Sequence, residues 1–260
     1  NSRHPTATET VTTIRTEEAV SAHQSQRPFV SFLSGERSGS AQASVLGDLR
    51  RVILDGSAAP GTAIPVGEVA DLFGVSAIPV REALKTLIGE GLVGHQTGGG
   101  YFVAQLTLTE LREIYFVRGV LEQAALSRAC EVATDTDLDR ARVEHEALQE
   151  ATIAGDRRAY HVHSRLFHQA LVAPCNMHRL LNMFDSTWDI TEPFQVMQRA
   201  TGPTQLQLHS DHEKMIDAMA RRDPDELISI AKAHHRRLES VIIETAAELN
   251  VAREDHPSAQ

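Results

Sequence analysis

The chain has 260 residues, 42% of them hydrophobic and 23% charged, with a formal net charge of −10. That length holds two modest domains with separate cores, and no apolar run approaches the length of a membrane-spanning helix, so no membrane partner is predicted. Two cysteines without CxxC spacing, Cys130 and Cys175, exclude a disulfide framework; with no apolar core of a secretory leader, the chain is predicted to be cytoplasmic.

Residues 1–40 are rich in Thr, Ser, Glu and Gln, a composition that predicts a disordered arm. The run Phe29-Val30-Ser31-Phe32-Leu33 interrupts it. It either docks on the body or is a sticky patch in the tail, and the second reading is favoured. Ala43 to Asp55 predicts an amphipathic helix with Val45, Leu46, Leu49, Val52 and Ile53 inward. A short helix follows at Glu68–Phe73, and Gly74 suits the sharp turn after it. Ser76 is a suitable N-cap for the next helix, and Pro79 falls in its first turn. Val80, Leu84, Leu87 and Ile88 form its inward stripe, while Arg81 and Lys85 share another face. Leu92-Val93 and Tyr101-Phe102-Val103 flank Thr97-Gly98-Gly99-Gly100, which is hairpin chemistry. Helix, turn, helix and hairpin make a winged helix over residues 41–104, and its second helix is shaped for a major groove.

From residue 105 the pattern is helical throughout. Thr107-x-x-Glu110 is a capping-box spacing and opens a helix to about Val132. Further helices are predicted from about Thr134 to Ala154, to Val172, from Met177 to about Arg199, from about Gln205 to Arg221, and from Asp223-Pro224 to about Leu249. The predicted fold is therefore mainly α: a winged helix-turn-helix, then an all-α bundle over residues 105–250, then a flexible tail at 251–260. His168, His212 and His234 stand on three of these helices where they should face inward. Such nitrogen ligands can converge on a divalent transition metal, although spacing alone does not show convergence.

The run VSAIPVREALKTLIGEGLV, Val75 to Val93, resembles the GntR family of bacterial transcription regulators, whose pattern is close to VSRTPVREALRRLEAEGLV. Leu49 to Ile64 is similar to that family's first helix and PG turn. The resemblance implies contact with double-stranded DNA through Ser76, Ala77, Ile78, Pro79, Arg81 and Lys85, and through His95, Thr97 and Gly99 of the wing. The chain departs from the pattern at Ala77, Ile78 and Gly67, which leaves Arg81 as the main basic contact. Four basic residues against six acidic ones give residues 41–104 a net charge of −2. So weakly charged a module should need a homodimer and an inverted-repeat operator.

Glu110 to Leu238 resembles the FCD effector domain of the FadR subfamily. Arg118-Gly-Val-Leu-Glu122 is similar to its RxxLE segment. His168 with Asn176 downstream is similar to FHxxL…N, and His212, Asp223 and His234 follow its spacing. The resemblance implies a Zn²⁺, Ni²⁺ or Mn²⁺ site on His168, His212 and His234. Ser164, a poor ligand, stands where metal-containing members have Asp. Such a site would attract a small carboxylate effector, with Arg118 as its bidentate partner and Asn176 and Trp188 in the pocket. A salt bridge from Arg118 to Glu122 is the competing reading. The reading as a whole is a non-enzymatic, effector-controlled DNA-binding regulator. A metal-dependent hydrolase with an appended DNA module lacks an evident general base, since Glu213 should point away from His212. An effector-independent DNA-binding dimer is the third reading.

Overall fold

Helix caps set most element boundaries in the computed structural model, which describes residues 28–200, 202–246 and 251–252. Ser40 accepts from the Ala43 N–H and opens α1 (Ala41–Leu54). Gly74, at φ 62°, ends α2 (Val66–Phe73) in the left-handed conformation that costs glycine least. The chain then enters α3 (Ala77–Gly89). Ser76 is the N-cap, but its hydroxyl makes no capping bond. The reason is in the sequence: Pro79, third in the helix, has no N–H for that hydroxyl to meet.

The wing is a three-stranded antiparallel sheet rather than the expected hairpin. β1 (Ala63–Ile64) joins β2 (Val93–Gln96) and β3 (Gly100–Val103) in the order β1-β3-β2. A two-residue strand carries no readable alternation, so β1 was not legible. His95 faces Tyr101 across the β2–β3 pair, and Gly94 faces Phe102. A Cβ at Gly94 would overlap the Phe102 ring.

The arm expected to be disordered through residue 40 is ordered from residue 28. Phe29–Phe32 form a 3₁₀ turn, and Phe29 and Leu33 lie in the winged-helix core. The Ser34 and Gly35 N–H groups and the Ser34 hydroxyl all donate to Asp48 of α1, at 2.6, 3.1 and 3.0 Å. Arg51 donates to the Phe32 carbonyl at 3.0 Å. Composition counts only the arm's own apolar residues; the docking rests on a carboxylate elsewhere in the chain. Residues 1–27 lie outside the described residues.

α4 (Leu108–Val132) starts on the Thr107–Glu110 capping box. α5 (Asp135–Ala154), α6 (Arg157–Val172), α7 (His178–Thr191), α8 (Gly202–Ala220) and α9 (Pro224–Glu244) complete the bundle. α7 stops eight residues before the predicted Arg199. Pro193 cannot donate to the helix ladder, and the chain passes through two 3₁₀ turns, Glu192–Phe194 and Val196–Arg199. α8 begins earlier than expected because Pro203 sits in its first turn, where it is tolerated. α9 ends before the expected Leu249. Part of the expected flexible tail is tied down, since the Ala252 N–H donates to the Leu106 carbonyl at 2.8 Å.

α4 lies against α7 and α9, and α5 against α6 and α8. The winged helix has its own apolar core, from Phe29 to Val103, and the bundle another, from Leu111 to Ile242. They meet where Gln195 donates to the Leu54 carbonyl at 3.4 Å and where Arg158 pairs with Asp55 at 3.8 Å.

Candidate functional sites

The outward face of α3 offers Ile78, Arg81 and Lys85. Ile78 is 69% exposed and belongs to neither apolar core. Lys85 is paired with Glu82 at 2.8 Å, and Arg50 donates to Glu90 at 3.0 Å. Arg81 is exposed and has no ion pair among the described residues. Ser76 is exposed, while Ala77 and Pro79 are half-buried at the helix start. In the wing, Thr97 and Gly99 are exposed, and the His95 ring packs on Tyr101 with centroids 4.7 Å apart.

In the bundle, His168, His212 and His234 come together from α6, α8 and α9. Their facing ring nitrogens all lie within 4.8 Å of one another, and all three rings are buried. His168 Nδ1 bonds Glu122 at 2.6 Å, which leaves His168 Nε2 without a protein partner. Neither nitrogen of His212 or His234 has a hydrogen bond, although His234 Nδ1 faces Asp211 at 3.6 Å. Burial, with the neighbouring imidazoles, holds the His212 pKa well below its ordinary value. Burial likewise lowers His234 to about 4 against the pull of Asp211. Both rings are therefore neutral near pH 7, the form that binds metal. Buried polar atoms without partners are uncommon, and three such imidazoles together form a group that could hold a metal ion. Ser164 is buried one turn before His168 on the same helix. No charge enters from that position; the carboxylates sit behind the ligands instead. Burial pushes Glu122 up, and the charges and hydrogen bonds of His168 and His235 overcome it and hold it well below the usual range.

Glu122 therefore belongs to the histidines and not to Arg118, which removes the competing salt bridge. Arg118 is 1% exposed. Its guanidinium lies 3.9 Å from the Tyr115 ring centroid and 4.1 Å from that of Trp188. One nitrogen donates to the Thr191 hydroxyl at 2.8 Å, and Nε and Nη1 have no partner. Trp188 also lies beside His168, at 5.8 Å between centroids. Glu192 is the acid that shares this region. Burial pushes it up, but bonds and charges from His161, Arg165 and Arg118 win and leave it lowered. Asn176 is not in the pocket. It is exposed, adopts φ 53°, and donates to the Pro174 carbonyl at 3.1 Å. Its place is a turn after α6, where Asn tolerates the left-handed conformation.

Residues 41–103 match the family of bacterial regulatory proteins, gntR family, and residues 113–237 match the FCD domain. A probable D-xylose utilization operon transcriptional repressor of Paenarthrobacter nicotinovorans is 30% identical over 65% of this chain and 73% of its own length. The chain belongs to the GntR family. The transcriptional regulator McbR of Escherichia coli is 28% identical over 68% of this chain and 81% of its own. The E. coli McbR structure covers 80% of this chain and 100% of its own with a TM-score of 0.68 at 24% identity, which supports the fold. A GntR regulator structure from Rhodococcus sp. RHA1 covers 78% of this chain and 97% of its own, with a TM-score of 0.66 at 26% identity.

This GntR chain is a DNA-binding transcription regulator with an FCD domain, and its family and relatives are regulators rather than enzymes. No described helix is long and apolar enough to cross a membrane. Sequence reasoning missed three participants near the FCD histidines. Glu122 was visible in the RxxLE segment, where only a competing salt bridge to Arg118 was weighed for it. His235 adjoins His234 and hydrogen-bonds Glu122. His209 lies one turn before His212 on α8, a spacing that was readable.

Proposed function

We propose that the bundle holds a small carboxylate effector and a divalent transition metal, and that their binding sets the affinity of a homodimer for an inverted-repeat operator in the cytoplasm. The observation that carries this reading is the buried Arg118 with two unpaired guanidinium nitrogens beside three histidines with unpaired ring nitrogens. Glu192 is near enough to act on Arg118, but its oxygens are bonded to His161 and Arg165. Buried N–H groups without an acceptor are costly, and a carboxylate from outside would meet the guanidinium in a bidentate fork. Tyr115 and Trp188 hold that fork flat. His168, His212 and His234 would hold the metal, with Glu122 orienting His168 from behind. A bound Zn²⁺, Ni²⁺ or Mn²⁺ would offer the effector an open coordination position.

The route to DNA is short. Arg118 bonds Thr191, and the turn after Thr191 carries Gln195, which contacts α1 at Leu54. An effector that competes for Arg118 would favour one placement of the winged helix over another, and this differential binding is the whole of the control. Dimerisation is supported by an exposed apolar stripe on α4, where Phe116 and Val120 are one turn apart. The relatives named as repressors favour repression.

On the DNA side, Arg81→Ala removes the one unpaired base-reaching cation of α3. A loss of about 1–3 kcal/mol per half-site is expected if Arg81 reads a base, doubled in a symmetric complex. Mobility-shift titration should show specific operator binding lost while non-specific binding persists. Wild-type affinity for the variant would remove α3 as the reading helix.

A further inference from the structure

A second group of imidazoles lies beside the first. His145 of α5 and His209 of α8 converge on His212, and the facing nitrogens of these three also lie within 4.8 Å of one another. His145 and His209 are 6% and 7% exposed. His209 Nδ1 is 3.3 Å from His145 Nε2. Two nitrogens each about 2.0–2.1 Å from one tetrahedral ion are separated by about 3.3–3.4 Å, so this pair is already spaced as a chelate.

The tautomer of His209 follows from its other contact. His209 Nε2 lies 2.9 Å from the Thr152 hydroxyl. That hydroxyl spends its single proton on the Leu148 carbonyl, at 2.9 Å, so toward His209 it can only accept. Nε2 therefore carries the ring proton, and the lone pair is on Nδ1, aimed at His145. A backing acceptor on the far ring nitrogen is the usual support of a metal-binding histidine. Glu213, which accepts from Gln149 at 3.3 Å, adds a carboxylate close to both rings. Neither ring nitrogen of His212 meets a protein partner, so its tautomer is free and its one lone pair can serve either trio.

We propose that His145, His209 and His212 form a second divalent-cation site, which ties α5 to α8 and competes with the first for the single lone pair of His212. The ligand class is a borderline transition cation such as Zn²⁺, since all three donors are imidazoles. The alternative is a packed cluster of rings, His145 against Phe167 and His209 against Tyr160, that binds nothing.

The test uses the full chain and Zn²⁺ alone, with bound zinc read by elemental analysis after gel filtration. His168→Gln with His234→Gln dismantles the first trio. This variant should keep about one Zn²⁺ per chain, and adding His145→Gln and His209→Gln should remove it. Thr152→Val in the same background should weaken the retained ion by about tenfold to a hundredfold. If the first pair of substitutions unfolds the chain, His168→Gln alone breaks that trio, and the comparison is made with and without His145→Gln. A folded variant without the first trio that holds no zinc, or one whose zinc survives loss of His145 and His209, overturns the proposal. Failure of the first site looks different: the His145→Gln, His209→Gln chain would hold no zinc, while the His168→Gln, His234→Gln chain still would.

Discussion

The two cores of this molecule are built on opposite terms. The winged-helix core is apolar from Phe29 to Val103, and its few buried polar groups, Ser44 and Asp48, are fully engaged. The bundle interior buries Arg118, Glu122, His168, His212 and His234 among its apolar residues and leaves several of their nitrogens unpaired. Burying an unpaired polar group costs free energy that packing elsewhere must offset. The first core satisfies its buried polar groups and holds α3 through Val80, Leu84 and Leu87. The second gives up stability in the unliganded state, and a ligand can return it by mass action.

That contrast is broken most directly by one substitution in each core. Leu84 is fully buried in α3, so Leu84→Ala should cost about 2–5 kcal/mol, unchanged by chelator or zinc. His212→Leu, in chelator, should leave stability unchanged or raised, because it removes two orphaned nitrogens without opening a large cavity. The stabilisation of wild type by added zinc should disappear in the same variant. Urea unfolding with and without chelator measures both. A loss of several kcal/mol from His212→Leu in chelator would show that the imidazole is structural and would end the comparison.

The next largest effect concerns Arg118. Arg118→Met keeps most of the packing between Tyr115 and Trp188 and deletes the charge. A hydrogen bond to a charged group is worth about 1.5–3 kcal/mol, so affinity for a carboxylate effector should fall by about tenfold to a hundredfold. Because the substitution also removes the bond to Thr191, operator binding without effector should move toward the effector-bound level. Calorimetric titration with a panel of small carboxylic acids, followed by mobility shift, tests both halves. An unaltered response to an acid that binds wild type would place the effector elsewhere.

Ser164→Asp is a smaller change that sharpens the same contrast. It places a carboxylate one turn before His168, where metal-containing FCD members carry one. Zinc retention against a chelator should improve by about tenfold or more, by analogy with the loss that follows removal of a supporting carboxylate. Ser164 itself brings no charge to the histidines. Glu122, bonded to His168, shows that a negative charge stands one residue further back, so the gain should be moderate. No gain at all would mean that Ser164 does not face the metal position.

Legibility follows the same division. Elements fixed by local chemistry were readable: the Thr107–Glu110 and Thr134 caps, the Asp223-Pro224 start and the Gly74 turn all appear where expected. Pro193 was equally visible, and reading α7 through it was an error of weighting. The three FCD histidines came from resemblance, because periodicity places each on a helix but cannot bring three helices together. Glu122 takes its partners by tertiary position, and Arg118, one turn away in sequence, is not among them; Asn176 instead serves its own turn, donating to the Pro174 carbonyl two residues back. His145 was out of reach, since α5 meets α8 only in the folded bundle.

The smallest expected effect lies in the arm. Asp48 is 8% exposed. Burial pushes its carboxyl up, but the Arg51 guanidinium and the hydrogen bonds from Gly35 and Ser34 outweigh burial and leave it below the ordinary value. A folded-state pKa below the unfolded one contributes stability that is fully present above the unfolded value, near 4, and is lost as pH falls through the folded value. Asp48→Asn keeps one acceptor oxygen and loses the charge, so at pH 7 it should cost about 1 kcal/mol, a typical net worth for such bonds. The difference from wild type should shrink as the pH is lowered below 4 and vanish once wild-type Asp48 is itself protonated. Hydrogen exchange separates this from a general weakening. In wild type at pH 7 the Ser34 and Gly35 amides should exchange slowly, because both donate to Asp48. In Asp48→Asn those two should speed up, while amides in the middle of α3 keep their protection. Equal acceleration throughout the winged helix would mean that Asp48 supports α1 alone and that residues 28–35 dock through Phe29 and Leu33 without it.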